Sequence, residues 1–494
     1  MSSSTMLPTM RQLTVLLLSI GIADNIAVNA FMPNSRSQNF HARSVKQHFH
    51  PQTPSKHKSS SISSLTMFLK VGSTSSATKD KVVEKDNNSK IMNVITSVLS
   101  PSNNKNKRST SDALSPDVTT LGSLTVPNVG IGTISWSSDS ITELENLELQ
   151  SLVATACKND AAFFDTAERY GSHWKTMLGL GWGETEMLTR KLLSRTAPSS
   201  FSTSSTNIEK SSPLSPVVAT KFTPSPWRNT AQSVVDACEE SCERLGVDQI
   251  DLYQLHMPDI VQPLKFAGFG QSKDEIYWDG LVECYRRGLV KNVGVCNYGP
   301  TLLTKCHEHL AKRGVPLASN QIAYSLIGRH NGAQETVDKC NELGVKVLAF
   351  FPFAMGLLTG KYTSNSIKSM SEDTITSLVS NKKTGLEERE LKDYAKRISS
   401  LMTVMESIAQ NNNKTIAQVA LNYIVCKGAI PIPGARTEAQ VKDNIGAMGW
   451  RLTDTEVSML ELEAGKLDFG FEGAGFKRTS EKFVGYGVEK WKLD

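Results

Sequence analysis

The stretch Phe163-Phe164-Asp165-Thr166-Ala167-Glu168-Arg169-Tyr170-Gly171 puts an acid and a phenol at the end of one strand. Two apolar residues finish a short buried run, Asp165 follows at once, and Tyr170 stands just before a Gly-rich loop. In an α/β barrel, the rim at the carboxyl ends of the strands is where catalytic groups gather. A tyrosine alone is a poor acid, with a pKa of about 10. A neighbouring cation would depress that value and make the phenol a usable proton donor near neutral pH. A partner cation is therefore expected at a nearby strand end.

Around this stretch, from Val126 onward, short apolar runs alternate with amphipathic segments. The runs are residues 130–136, 162–165, 216–221, 250–256, 290–297, 318–325, 345–353 and 429–434. The helical segments are 142–156, 184–193, 230–245, 274–287, 302–313, 334–343, 391–426 and 438–447. Eight strands, each followed by a helix, predict an α/β fold of the (β/α)8 TIM barrel type and not an open sheet. An extra C-terminal helix at 454–464 is expected outside the barrel, and residues 466–494 are placed to fold over its mouth. Three connections are long: 171–183, a candidate substrate wall; 196–215, a Ser/Thr-rich surface insertion; and 362–387, a candidate lid.

The third run ends Val217-Val218-Ala219-Thr220-Lys221, which would hold an ammonium at the mouth. The fourth ends Asp251-Leu252-Tyr253-Gln254-Leu255-His256. Taken singly, a strand-end Lys is usually a surface residue and a lone His usually structural. At three adjacent strand ends the balance reverses. Hydride reduction of a carbonyl leaves an alkoxide that needs a proton, which Tyr170 can supply. Lys221 would lower the phenol pKa, Asp165 would keep Lys221 charged despite burial, and His256 would orient the carbonyl oxygen.

With these residues the chain resembles the aldo-keto reductases. The matching pieces are residues 164–171, Lys221, residues 251–256, Gly294-Val295-Cys296-Asn297-Tyr298, Ser319-Asn320-Gln321 and Ile430-Pro431-Ile432-Pro433-Gly434-Ala435-Arg436. They span residues 122–466. The chain resembles in particular the plastid members of plants, sharing Gly434-Ala435-Arg436 and Gly446-Ala447-Met448-Gly449-Trp450. The resemblance implies NADPH as cofactor, an aldehyde or ketone as substrate, a monomer or weak oligomer, and Asp165, Tyr170, Lys221 and His256 as the catalytic tetrad. It also implies the cofactor contacts. Thr133 and Ile134 line the nicotinamide side, while Cys296, Asn297 and Gln321 lie about the carboxamide. Phe350, next to Phe351, stacks on the ring, and Pro352, Gly356 and Leu357 run along the pyrophosphate. Gly434 leads into Arg436 for the ribose 2′-phosphate, Lys361 adds a second positive contact, and Gln440 and Asn444 face the adenine. Arg436 stands at the start of a helix, which suits it to a phosphate. Gly130-Ile131-Gly132-Thr133 lacks the third glycine of a Rossmann fingerprint and lies on a barrel strand. Two departures stand out: Cys296 replaces the usual Ser, and Phe350-Phe351 replaces a Tyr-Ser pair.

Two other readings compete. Potassium-channel beta subunits share this fold and bind NADP while regulating a partner; the intact His256 and the leader weigh against that reading. A barrel aldolase or isomerase with a Schiff-base Lys221 leaves Tyr170 and Arg436 unexplained.

The charge of the 494-residue chain is uneven: residues 1–79 hold eight Lys/Arg and a single acid, Asp24, so the net +5 comes from there. A near-neutral body argues against nucleic-acid binding. All eight cysteines lie between Cys157 and Cys426 with no CxxC pair, as expected of free thiols in a reducing compartment. Cys306-His307-Glu308-His309 reads as a solvated helix surface and no metal site is expected. Arg11 precedes an apolar run, residues 13–23, too short to span a bilayer and right for a signal peptide; Val28-Asn29-Ala30 offers small residues for cleavage. Phe31 then opens a basic, Ser-rich tail with no acid before Asp80. Such a bipartite leader resembles those of algae with secondary plastids. The expected layout is a signal peptide at 1–30, a transit-like segment at 31–79, a linker at 80–120 and the barrel at 121–494. Together these form a disordered N-terminal leader and a plastid protein with no membrane attachment after processing; secretion is the alternative.

Overall fold

The structure, a computed structural model, describes residues 117–136, 143–171, 182–196, 214–225, 228–259, 273–329, 332–354, 356–369, 371 and 388–467. The signal, transit and most of the linker segments lie outside the described residues. So do residues 468–494 and most of the connections 171–183, 196–215, 259–273 and 362–387.

The described chain opens with a hairpin absent from the sequence reading. Strands β1 (Val118–Leu121) and β2 (Leu124–Pro127) pair antiparallel around Gly122, whose φ is +58°. Residues 118–120, expected in the linker, are thus in a strand. A Cβ at position 122 would overlap the side chain of Asn292, whose Oδ1 accepts the Ser123 N–H at 2.8 Å. Then follow β3 (Ile131–Gly132), α1 (Glu143–Lys158), β4 (Phe163–Asp165), α2 (Glu184–Thr196), β5 (Val217–Phe222), α3 (Ala231–Leu245), β6 (Ile250–Leu255), α4 (Asp274–Arg286), β7 (Val290–Cys296), α5 (Pro300–Ala311), β8 (Leu317–Ala323), α6 (Ala333–Glu342) and β9 (Lys346–Phe350). The chain continues through α7 (Ser364–Lys368), α8 (Glu388–Asn411), α9 (Ile416–Cys426), β10 (Ile430–Pro431), α10 (Glu438–Ile445) and α11 (Asp454–Gly465).

Strands β3 to β10 pair in parallel, each with the next. The ring closes where Gly132 bridges Gly434, and the N–H groups of Gly130 and Gly132 donate to the carbonyls of Pro431 and Pro433 at 2.9 and 3.0 Å. This is the (β/α)8 barrel expected from the alternating pattern. Side chains alternate across each strand. Phe163, Val217, Ala219 and Leu252 point inward with Leu121 and Val126 of the hairpin, which caps the end where the strands begin. Phe164, Val218, Phe222, Tyr253 and Leu255 point outward and build the larger core under the helices. The inward residues one step further along, Asp165, Lys221 and Gln254, are polar and buried. Each of these strands therefore carries an apolar floor and a polar mouth.

Threonine side chains start several helices by accepting an otherwise unpaired N–H: Thr230 for α3, Thr415 for α9, Thr437 for α10 and Thr453 for α11. The capping box of Thr415 with Gln418 corrects one expectation. The segment 391–426, read as one helix, is two, because Asn413 turns left-handed (φ +52°) and Thr415 begins a new helix. The strands read at 130–136 and 429–434 shrink to two-residue ladders, since turns follow at once. The C-terminal α11 packs on α8. All eight cysteines are free thiols, six of them buried. Of the stretch 306–309, Glu308 alone is well exposed: Cys306 is in the core and His309 bonds Asp279 at 2.8 Å, so the expected solvated surface holds only in part. Among the described residues no helix is long and apolar enough to cross a membrane, and no three His, Cys, Asp or Glu side chains gather as for a metal ion.

Candidate active site

Lys221, at the end of β5, is fully buried, and its three ammonium hydrogens have three acceptors. Nζ lies 2.7 Å from Asp165 Oδ2, 2.7 Å from the Thr166 carbonyl and 3.2 Å from the Tyr170 hydroxyl. Burial disfavours its charge, but Asp165 and then Tyr170 outweigh that, and the pKa of Lys221 ends above the usual lysine value. It therefore stays an ammonium, which disfavours the nucleophilic amine that a Schiff-base enzyme needs.

Tyr170 departs from the sequence expectation. Burial pushes its pKa up, Lys221 pulls it down and Asp165 pushes it up again, for a net rise to about 12. The phenol therefore stays protonated at neutral pH. Because it accepts from Lys221, its own O–H is left to point elsewhere. His256 follows β6, its ring edge-on to Tyr170 with centroids 5.7 Å apart. Burial, Lys221 and Arg169 hold the imidazole pKa well below the usual histidine range, so the ring is neutral. The four side chains thus lie together, Lys221 touching Asp165 and Tyr170, and His256 meeting the Tyr170 ring.

Beneath them lies a polar network whose pairings the sequence did not announce. Asp165 Oδ1 accepts from Gln321 Nε2 at 2.9 Å and from Gln254 Nε2 at 3.4 Å. Gln254 Oε1 in turn accepts from Ser319 Oγ at 3.4 Å and Cys296 Sγ at 3.8 Å. Gly294 makes this possible: a Cβ there would sit 2.2 Å from Ser319 Oγ and 3.0 Å from Gln254 Cγ. Cys296 is buried within the network, and burial raises its pKa.

The residues expected about NADPH are spread over neighbouring strand ends. Thr133 is committed to holding the strand end, since both its N–H and its hydroxyl donate to the Asp165 carbonyl at 3.0 Å; Ile134 lies half-buried in the next turn. Gln321 spends one N–H on Asp165. Asn297 adopts φ +63° and donates to the His256 carbonyl, while its Oδ1 is buried without a partner. The Phe350 and Phe351 rings meet edge-on, 5.1 Å apart, with Phe351 at φ +55°. Pro352 and Leu357 are buried. Lys361 is exposed beside the Tyr362 ring. Arg436 is exposed and pairs with Glu145 at 2.9 Å, and its N–H donates to Gln440 Oε1 at 2.7 Å, so Gln440 turns back on its own helix start. Asn444 is buried, and its Nδ2 has no partner. Unpartnered amide atoms on Asn297 and Asn444, with open space where a Cβ would stand on Gly356 and Gly434, suit a ligand with polar edges at two places.

Three further residues frame the mouth. Glu168, almost wholly buried, takes Arg228 in a two-pronged ion pair at 2.6 and 3.0 Å and accepts the Thr223 N–H at 2.6 Å. The Arg228 guanidinium lies 4.3 Å from the Phe222 ring and 5.2 Å from the Trp182 ring. The Thr223 hydroxyl lies 3.3 Å from His256 Nδ1. The ends of the 260–272 connection are pinned by Asp274, which accepts the Asp259 N–H, and by Asp259, which accepts the Lys273 N–H, each at 2.8 Å. Gln254 had a readable signal, because Leu252, Gln254 and His256 alternate with outward residues on one strand. The partnership of Glu168 with Arg228, sixty positions apart, had none.

The sequence model of the Aldo/keto reductase family matches residues 128–462. The chloroplastic pyridoxal reductase of Arabidopsis thaliana is 34% identical over 348 residues, 70% of this chain and 85% of that protein. The aldo-keto reductase str7 of Strobilurus tenacellus is 30% identical over 250 residues, 49% of this chain and 66% of its own length. Among solved structures, the glycerol dehydrogenase of Gluconobacter oxydans shares the fold with a TM-score of 0.52 and 21% identity, over 71% of this chain and 95% of that one. The family match spans the barrel from β3 to α11, and the chain belongs to the aldo/keto reductase family.

Proposed function

We propose that the protein reduces an aldehyde or ketone to the alcohol with NADPH, in a plastid. The observation that carries this reading is the contact of Lys221 Nζ with Tyr170 Oη at 3.2 Å while the same ammonium is paired with Asp165. Bound NADPH would supply the hydride. Asn297 and Gln321 would hold its carboxamide, Phe350 its ring, and Arg436 with Asn444 its far end. The chain's own residues do the rest. His256 donates a hydrogen bond to the carbonyl oxygen and sets its direction. Tyr170 keeps its proton until the oxygen becomes an alkoxide, a far stronger base than a phenolate, and then releases it. The phenolate left behind faces the Lys221 ammonium, which Asp165 and the Thr166 carbonyl hold in place.

The Arabidopsis relative's name makes pyridoxal the first aldehyde to test, and its chloroplastic address agrees with the bipartite leader. The protein, incubated with NADPH and pyridoxal or a simple aromatic aldehyde, is expected to consume NADPH. Tyr170→Phe is expected to lower kcat by about 10²–10⁴-fold while NADPH still binds. A variant as fast as the parent would refute the role of Tyr170.

A further inference from the structure

Reduction needs a hydrogen-bond donor on the carbonyl oxygen, and a neutral imidazole donates from only one nitrogen. Which one depends on what the other ring nitrogen meets. The sole bond of the His256 ring among the described residues is between Nδ1 and the Thr223 hydroxyl, at 3.3 Å. Thr223 is buried, and its hydroxyl has no other partner among the described residues. If Nδ1 carried the proton, it would donate to Thr223 Oγ1 and strand the hydroxyl hydrogen in a buried site with no acceptor among the described residues, which is costly. If the hydroxyl donates to Nδ1, the Thr223–His256 pair is satisfied and the ring proton sits on Nε2, which is not among the buried unpartnered atoms and is left open to water or substrate. The backbone of Thr223 is itself fixed: its N–H donates to Glu168 Oε1 at 2.6 Å and its carbonyl accepts from Arg228 at 3.4 Å.

We propose that Thr223 is a positioning residue that locks His256 in the Nε2–H tautomer, so that this nitrogen is a ready donor to the substrate carbonyl. The proposal rests on the reductase reading for its purpose, but its central test does not. Nitrogen-15 spectra of the full protein, with the His256 signals assigned by loss in His256→Gln, report the protonation of each ring nitrogen directly. The parent is expected to show a protonated Nε2 and an accepting Nδ1. Thr223→Val keeps the shape and removes the hydroxyl. It is expected to give a mixed tautomer pattern and a kcat about tenfold lower, with KM for NADPH unchanged. Thr223→Ser is expected to restore both. A protonated Nδ1 in the parent, or a Val variant with the parent's nitrogen pattern, would overturn the lock. If no carbonyl is reduced by any form while the spectra behave as expected, the reductase reading fails and the tautomer assignment stands.

Discussion

Arg436 holds the partner most easily displaced. Its ion pair with Glu145 is largely solvated, and such pairs contribute about 0–1 kcal/mol. A ribose 2′-phosphate carries more charge than a carboxylate and suits a planar guanidinium, so exchange favours the phosphate. Arg436→Ala is expected to raise KM for NADPH by about 10–100-fold and to leave KM for NADH nearly unchanged, measured on one aldehyde. Equal changes for the two cofactors would place the phosphate elsewhere. At this scale the sequence was most legible where chain order dictates place: Asp165, Lys221 and His256 end adjacent strands, so their meeting follows from the barrel. The acidity of Tyr170 was not legible. The cation was expected to win, but burial outweighs it, and the extent of burial depends on chain far away in sequence.

Helices and loops add an ion pair with a different character. Glu168 follows β4, Arg228 precedes α3, and their bond joins two connections at the rim. Glu168 is almost fully buried, so removing only Arg228 strands a charge. Arg228→Leu is expected to cost about 3 kcal/mol in urea unfolding. Adding Glu168→Gln to that variant is expected to recover much of the loss, because the stranded charge disappears; no recovery would mean that Arg228 acts through its packing between Phe222 and Trp182. No local pattern announces such a bond. The break between α8 and α9 is the opposite case: Asn411-Asn412-Asn413 and the Thr415/Gln418 pair stand in plain view, and the strong apolar period of the whole segment masked them.

For the whole molecule, the barrel was legible from β3 to α11 because eight repeats of strand and helix admit few closed solutions. The hairpin was not, since Val118–Leu121 adjoins a polar linker and is too short to show a period. The proposed plastid destination makes one prediction here: protein recovered from its native plastid is expected to begin somewhere between residues 31 and 120, as read by N-terminal sequencing, and recovery of Met1 would sink it. The crowding at the heart of the ring also bears on how this lineage can change. Position 294 and the Ser319 hydroxyl compete for the same few cubic ångströms. A methyl at 294 can therefore enter only if the oxygen at 319 swings aside or is given up, so the two positions are expected to tolerate change together more readily than singly.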